Sequence, residues 1–300
     1  MDFRDALFDQ IHDLMRHDED VVVITNDMGA FGFDQIARDF PERAVNLGIA
    51  EQNLVSVSAG LAFAGKKVFA FGIASHVAFR CFEQIKLDMC VGNLPIVLIG
   101  MGPGLTYGND GPTHHAVEDV GALKSIPNIQ IFNPCDVVAV GESVQLAFAS
   151  KGPCYIRLDK EKNAPLWEAN DSSFADGIKE VKSGDKTVMI TTGISTFRAL
   201  QAAQGTGAAV IDVLRLKPLA KDRLKEILEE FERVIVVEEH VRTGGLYSSV
   251  CEILAENGLS RKLTAVTLPD EFLMGSASRD WAHQKFGFTP EALREIIKED

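Results

Sequence analysis

Paired cysteines are missing from this sequence. Its five cysteines, Cys81, Cys90, Cys135, Cys154 and Cys251, are odd in number, scattered, and contain no C-x-x-C step, so neither a disulfide framework nor a zinc knuckle is open to it. Basic charge is scarce as well: 30 lysines and arginines face 43 aspartates and glutamates, giving a formal charge of −13. A field of that sign repels phosphate polymers and anionic lipid surfaces, which argues against nucleic acid and membrane as partners. No apolar run approaches the roughly 18 residues that cross a bilayer. The opening Met1-Asp2-Phe3-Arg4-Asp5 has no charged-then-apolar leader pattern, and with scattered thiols this reads as a cytoplasmic protein. Internal repeats and low-complexity tracts are absent too.

What is present is an ordinary soluble composition, 46% hydrophobic and 24% charged over 300 residues, which is long enough for two domains. Phe3, Leu7, Ile11 and Leu14 recur at helical spacing ahead of the apolar strand Val21–Thr25, and a helix–strand alternation starts there. Strands are expected at 44–47, 68–71, 96–99, 129–132 and 154–157, with helices over about 51–64, 77–91 and 137–149 and a long glycine-rich loop from Gly100 to His115. Apolar strands alternating with helices imply an α/β fold: a mostly parallel sheet with helices on both faces. Residues 161–185 turn polar and read as a linker. A second alternation, with strands near 188–191, 209–213, 234–237 and 263–267, predicts another, smaller domain of the same kind over 186–300, after a first domain over 1–160.

Two segments of the first domain carry candidate chemistry. In Asn46-Leu47-Gly48-Ile49-Ala50-Glu51-Gln52-Asn53 a glutamate sits at a strand-to-helix step, where helix N–H groups favour its ionised form. In Gly108-Asn109-Asp110-Gly111-Pro112-Thr113-His114-His115, running on to Glu118-Asp119, a glycine-rich loop brings a carboxylate and two histidines past the end of a buried strand. Open α/β sheets bind ligands at that edge. By spacing alone the first reads equally as a helix-start carboxylate and the second as a polar site loop.

These segments resemble a known family. Gly48-Ile49-Ala50-Glu51-Gln52-Asn53 is similar to the pyrimidine-binding motif of transketolases, and Asp110-Gly111-Pro112-Thr113-His114 to their substrate-loop motif, in family order. The likeness continues through Arg80-Cys81-Phe82-Glu83-Gln84-Ile85, Ile126-Pro127-Asn128, Val237-Glu238-Glu239-His240 and Gly244-Gly245. It spans the chain but only the C-terminal half of a full-length transketolase, namely a pyrimidine-binding domain and a transketolase C-terminal domain. The family's diphosphate-binding domain carries a G-D-G segment, and no Gly-Asp-Gly occurs here.

The resemblance therefore implies one subunit of a split, two-chain transketolase: inactive alone, and assembled with an N-terminal subunit that carries the diphosphate-binding domain, as a heterotetramer of two and two. It would transfer a two-carbon ketol unit from a ketose to an aldose acceptor with thiamine diphosphate. Mg2+ or Ca2+ would be ligated mainly by the partner, leaving no metal ligand in this chain. Glu51 would hydrogen-bond N1′ of the aminopyrimidine and promote the imino tautomer that activates C2. Asp27, Val77 and Arg80 would join Glu51 at the cofactor. His114 would act on the donor's oxygens, Asp110 on a substrate hydroxyl, and Arg157 and Arg4 on a phosphate, a task suited to a forked guanidinium.

Departures from the family pattern concern the same places. The stacking aromatic falls at Val77, a second loop histidine at Gly102, and a phosphate-binding serine at Phe31. A sugar other than the usual pentose and hexose phosphates is a corresponding expectation. Alternatives are a 2-oxo acid dehydrogenase of which this would be the beta chain, whose substrate loop differs, a 1-deoxyxylulose-phosphate synthase-like enzyme, and a non-catalytic scaffold or regulatory subunit that kept the fold. Outside the motifs, His12 and His17 read as solvated, and the Glu229-Glu230 and Glu238-Glu239 pairs as solvent-facing or interface charges. His240 reads as a supporting residue or one between subunits, and Phe71, Phe79 and Phe82 as core.

Overall fold

The computed structural model describes residues 1–299. The strands are β1 Val21–Thr25, β2 Ala44–Asn46, β3 Lys67–Ile73, β4 Ile96–Met101, β5 Gln130–Phe132, β6 Cys154–Leu158, β7 Ile178–Lys182, β8 Thr187–Thr191, β9 Ala209–Val213, β10 Arg215–Lys217, β11 Arg233–Val241 and β12 Lys262–Leu268. Among the described residues they form two sheets, ordered β10-β5-β6-β4-β3-β1-β2 and β12-β11-β8-β9-β7. Interior pairings are parallel, for example Val21–Thr25 against Lys67–Phe71 and Val97–Met101 against Cys154–Leu158. Two edges are antiparallel, β10 on β5 and β7 on β9.

Parallel strands joined by helices bury both faces, and the sequence supplies side chains for both. On β1, Val22 and Ile24 point into one core with Leu54, Val55 and Ala59 of the helix Glu51–Phe63. Val21 and Val23 point into the opposite core with Phe3, Leu7 and Ile11 of the helix Phe3–His17 and with Val140 and Val144 of the helix Val137–Ala149. Each such aliphatic side chain contributes roughly 1.5–3 kcal/mol when fully buried. The C-terminal ends of β1, β3, β4 and β6 then lie along one sheet edge, and the loops leaving that edge carry the candidate site.

Residues 161–185, read as a linker, are docked. Trp167 is 1% exposed and stacks on Phe174 with ring centroids 4.3 Å apart, while its Nε1 donates to Asp212 at 2.8 Å. The segment ends in β7, an edge strand of which only Glu180 is exposed but whose Lys179, Glu180 and Lys182 hide it in a polar composition. In the other direction β10 leaves the second unit and closes the edge of the first sheet. His12 is another difference: it is 8% exposed and its Nε2 lies 2.7 Å from Asp39, because the helix Phe3–His17 packs against the helix Phe31–Asp39 as well as the sheet. Phe71 is buried, whereas Phe79 is 39% exposed. No helix among the described residues is long and apolar enough to cross a membrane.

Candidate active site

The helix Glu51–Phe63 starts without a side-chain cap from Ala50, so the Glu51 carboxylate lies in its first turn among unsatisfied N–H groups and the positive end of the dipole. The approach is fixed by Asn46, whose Oδ1 accepts from the Asp27 N–H at 2.9 Å and the Gly48 N–H at 3.0 Å, while its Nδ2 donates to Asp27 Oδ1 at 3.1 Å. Asp27 has φ of 65°, a left-handed conformation that is sparsely populated and accumulates at functional sites. Asp27 and Glu51 are thus held on two neighbouring turns.

A second element approaches from the end of β3. His76–Arg80 forms one widened, π-type turn, a local form found often at functional sites, and residues four apart share a face. Both ends of that turn meet Glu51, which is 7% exposed: an Arg80 Nη donates to Oε1 at 2.9 Å, and His76 Nδ1 lies 3.5 Å from it. Burial, with help from the charges of Arg80 and His114, holds the His76 imidazole below the usual histidine pKa. Its Nε2 is buried with no hydrogen-bond partner, as is Asn26 Oδ1. Such atoms are rare in folded proteins and call for a ligand or water. The Cys81 thiol beneath is pushed up to about 12 by burial and by the Glu51 charge, which makes it inert.

The third element is the loop after β4. His114 lies with its ring 5.0 Å from that of His76 and 5.9 Å from that of Tyr107, and its Nδ1 is 2.9 Å from Thr113 Oγ1. Asp110 ends the tight turn Gly108–Asp110 and is exposed. Between the loop and the widened turn lies a cavity of about 490 Å³, lined by His76, Phe79 and Arg80 on one side and Pro112 and Thr113 on the other, with Phe272 at its rim. Three elements far apart in sequence thus bring Glu51, His76, Arg80 and His114 together, with Asp110 on the same loop.

Several expected residues lie elsewhere. Val77 is fully buried, its Cγ1 only 2.6 Å from where a β-carbon on Gly72 would sit; the turn points it into the core and leaves His76 and Phe79 to flank the cavity. Arg157, expected at a substrate phosphate, is 4% exposed: its Nε donates to Asp119 at 2.8 and 3.1 Å and an Nη to the Ala116 carbonyl at 2.9 Å. A guanidinium so enclosed presents no fork to a ligand. Three residues on, past the end of β6, Lys160 Nζ lies 3.9 Å over the Tyr107 ring. Burial and the nearby Arg4 charge lower the Lys160 pKa. Arg4 donates an Nη to Asp2 at 3.3 Å while its Nε is buried without a partner, and the charges of Arg4 and Asp110 both act on Lys160. Lys160 was legible only as a charge just beyond a strand end, the place where such sheets bind ligands.

The departures at Gly102 and Phe31 also take shape. A β-carbon at Gly102, with φ of 77°, would fall 1.9 Å from the Tyr107 ring, so the tyrosine fills the space. Phe31 is 76% exposed. The pair Glu238-Glu239, read as solvent-facing or interface charges, is buried, with Glu239 between the two units. Glu238 accepts the Leu246 and Tyr247 N–H groups at 2.8 Å, capping the helix Leu246–Glu256, and His240 Nε2 accepts the Gly121 N–H at 3.2 Å. No group of three or more His, Cys, Asp or Glu among the described residues could hold a metal ion.

Two family models match the chain: "Transketolase, pyrimidine binding domain" over residues 1–165 and "Transketolase, C-terminal domain" over residues 176–293. Among curated proteins, an apulose-4-phosphate transketolase subunit of Phocaeicola vulgatus is 33% identical over 98% of this chain and 97% of its own length. The 6-deoxy-6-sulfo-D-fructose transketolase subunit SqwH of a Clostridium species is 29% identical over 98% of this chain and 92% of its own. Among solved structures, one described as a split gene transketolase, inactive beta4 tetramer, superposes with a TM-score of 0.89 at 30% identity, covering 99% of this chain and 97% of that one.

Proposed function

We propose that this chain, which belongs to the transketolase family, is the pyrimidine-binding subunit of a two-chain enzyme that moves a two-carbon ketol unit from a ketose to an aldose. The observation that carries the reading is the meeting of Glu51, His76, Arg80 and His114, two of which, His76 and Arg80, line a cavity, beside the unpartnered buried atoms His76 Nε2 and Asn26 Oδ1. Two similar proteins are named as subunits of transketolases, and one similar structure as an inactive tetramer of one chain type. Those names favour a partner that completes the site. Exposed Ile49, Phe79 and Phe272 near the cavity give that partner apolar surface to cover.

The residues present fit the aminopyrimidine end of thiamine diphosphate. Glu51 would take its protonated ring nitrogen, His76 and Phe79 would flank its plane, and Asp27 would lie at the adjoining turn. Bound there, the cofactor supplies a nucleophilic carbon and an electron sink. Its diphosphate and a Mg2+ or Ca2+ ion would be held by the partner subunit. In this chain Glu51, oriented by the Arg80 hydrogen bond at 2.9 Å, would accept a hydrogen bond from the ring nitrogen's N–H, and His114 would donate to or accept from the donor's oxygens. Arg4 and Lys160, not Arg157, offer positive charge to an acidic substrate end, with Asp110 on a hydroxyl.

The test is reconstitution. The purified chain alone is expected to be inactive, and co-purification with a diphosphate-domain partner to give ketol transfer that requires thiamine diphosphate and a divalent cation. Light scattering of the same fractions should show a two-plus-two assembly. Full activity from the chain alone, or a cofactor-independent rate in the assembly, overturns the reading.

A further inference from the structure

Past the candidate site, a buried polar cluster joins the substrate loop to the second sheet. Glu239, near the end of β11, is 5% exposed and its carboxylate collects four donors: the Leu105 N–H at 2.9 Å, Arg279 Nε and Nη at 2.9 and 2.7 Å, and His283 Nε2. Arg279 turns its remaining edge to Asp159, with Nη–O distances of 2.9 and 2.7 Å. Asp159 in turn accepts from Thr106 Oγ1 at 3.3 Å. Two anions from different units thus share one guanidinium, and the start of the loop is bonded to both. So many donors hold the Glu239 carboxyl far below the usual carboxylate range despite burial.

The loop backbone fits this seat without slack. A β-carbon at Gly104 would lie 2.0 Å from Glu239 Oε2, and one at Gly108 would lie 2.5 Å from the Ala277 carbonyl and 3.0 Å from the Arg279 nitrogen. Gly104, with φ of 59°, lets the chain pass over the carboxylate, and Gly108 begins the turn that ends in Asp110. Both contacts come from the C-terminal domain, which itself contributes nothing but Phe272 to the cavity lining.

We infer that Glu239 and Arg279 are positioning residues for the reaction: the C-terminal domain sets the place of Asp110 and His114 by clamping residues 104–108 of their loop. The assignment rests on the ketol-transfer reading, because it gives the clamped loop a substrate to meet. Donor affinity is therefore controlled from a domain whose one residue at the cavity is Phe272. A displacement of about an ångström at reacting groups costs as much as 100-fold in rate, so a loosened seat should show first in the use of substrate.

The test uses Glu239→Gln and Arg279→Lys, both close in size to the native residues; the first removes a charge from the cluster and the second removes the fork that bridges its two carboxylates. In the assembled enzyme the expected result is an increase of about tenfold or more in KM for a pentulose 5-phosphate or hexulose 6-phosphate donor, with thiamine diphosphate affinity within about twofold of wild type. In the chain alone, amide exchange of residues 104–115 should quicken by about tenfold while β4 and β11 keep their protection. If Glu239→Gln does not fold, Arg279→Lys carries the same comparison. A lowered melting temperature with loop exchange and KM unchanged overturns the inference and leaves the cluster a role in stability alone. If the wild-type assembly transfers no ketol unit, the functional reading falls, and loop exchange by itself then decides whether the clamp exists.

Discussion

The molecule builds a glutamate–arginine–histidine constellation twice, and the two copies differ in how they are closed. Glu51 with Arg80 and His76 lies at a cavity: the Arg80 side chain is 52% exposed, and His76 keeps a buried Nε2 without a partner. Glu239 with Arg279 and His283 lies under the loop and both domains: the side chains are 4%, 13% and 1% exposed, and a backbone N–H and a second carboxylate complete the set. Residue types are the same, so composition does not distinguish them. Closure does. Both imidazoles keep one buried nitrogen without a partner, His76 Nε2 and His283 Nδ1, so the difference lies in the arginine: a buried guanidinium spent on two carboxylates holds structure, whereas a half-exposed one can meet a ligand. Sealing brings a penalty, since removing one member of a buried pair leaves the other desolvated.

The sharpest way to break this contrast is to make the same substitution in both copies. Glu51→Gln should lower ketol transfer in the reconstituted enzyme by roughly 100-fold or more while leaving the melting temperature close to wild type. Glu239→Gln should instead cost about 3 kcal/mol of stability, read by urea unfolding, and should reach ketol transfer only through the raised donor KM. If the two variants cannot be told apart in these two assays, the open and sealed assignments are wrong.

Next in size is Val77→Phe. A cofactor-facing position would gain a stacking ring, but Val77 packs into the core against Gly72, so the added ring should cost about 1–3 kcal/mol in stability. Tighter thiamine diphosphate binding at unchanged stability would return Val77 to the cavity wall. For His76 the comparison is between Ala and Phe. His76→Ala should weaken cofactor binding by about tenfold, and His76→Phe should restore most of it if the ring's plane is what matters; calorimetry on the assembled enzyme separates the two.

The smallest effect tests the sealed side by pH. Asp212, buried beneath Trp167, Thr196 and Cys135, has its carboxyl raised to about 7 by burial, against an ordinary value of 3.8. A raised folded-state pKa means that the folded chain holds the proton more tightly, so the stability it contributes is full below the unfolded value and is lost as pH rises through about 7. The wild-type melting temperature should therefore fall by about 2–4 °C relative to Asp212→Asn between pH 5 and pH 8. Parallel pH profiles for the two proteins would mean that Asp212 stays charged in the fold.

Local sequence was enough for much of this. Apolar runs such as Val21–Thr25 and Ile96–Ile99 declare strands buried on both faces, the intervening helical periods force parallel crossovers, and the resulting sheet edge must carry the Glu51 and Asp110–His114 segments. These are properties of period and residue type, which act over a few neighbours. Tertiary structure alone decided the rest. Whether Arg157 or Lys160 has a free cation depends on Asp119, which lies some 40 residues away in the chain but 2.8 Å from Arg157. Whether His76 or Val77 faces the cavity depends on the phase of one widened turn. And Glu239, just another acidic residue beside a strand in the sequence, becomes a seat for the substrate loop because Leu105, Arg279 and His283 converge on it. Partners distant in sequence fix whether a charged group is satisfied, and no local pattern encodes them.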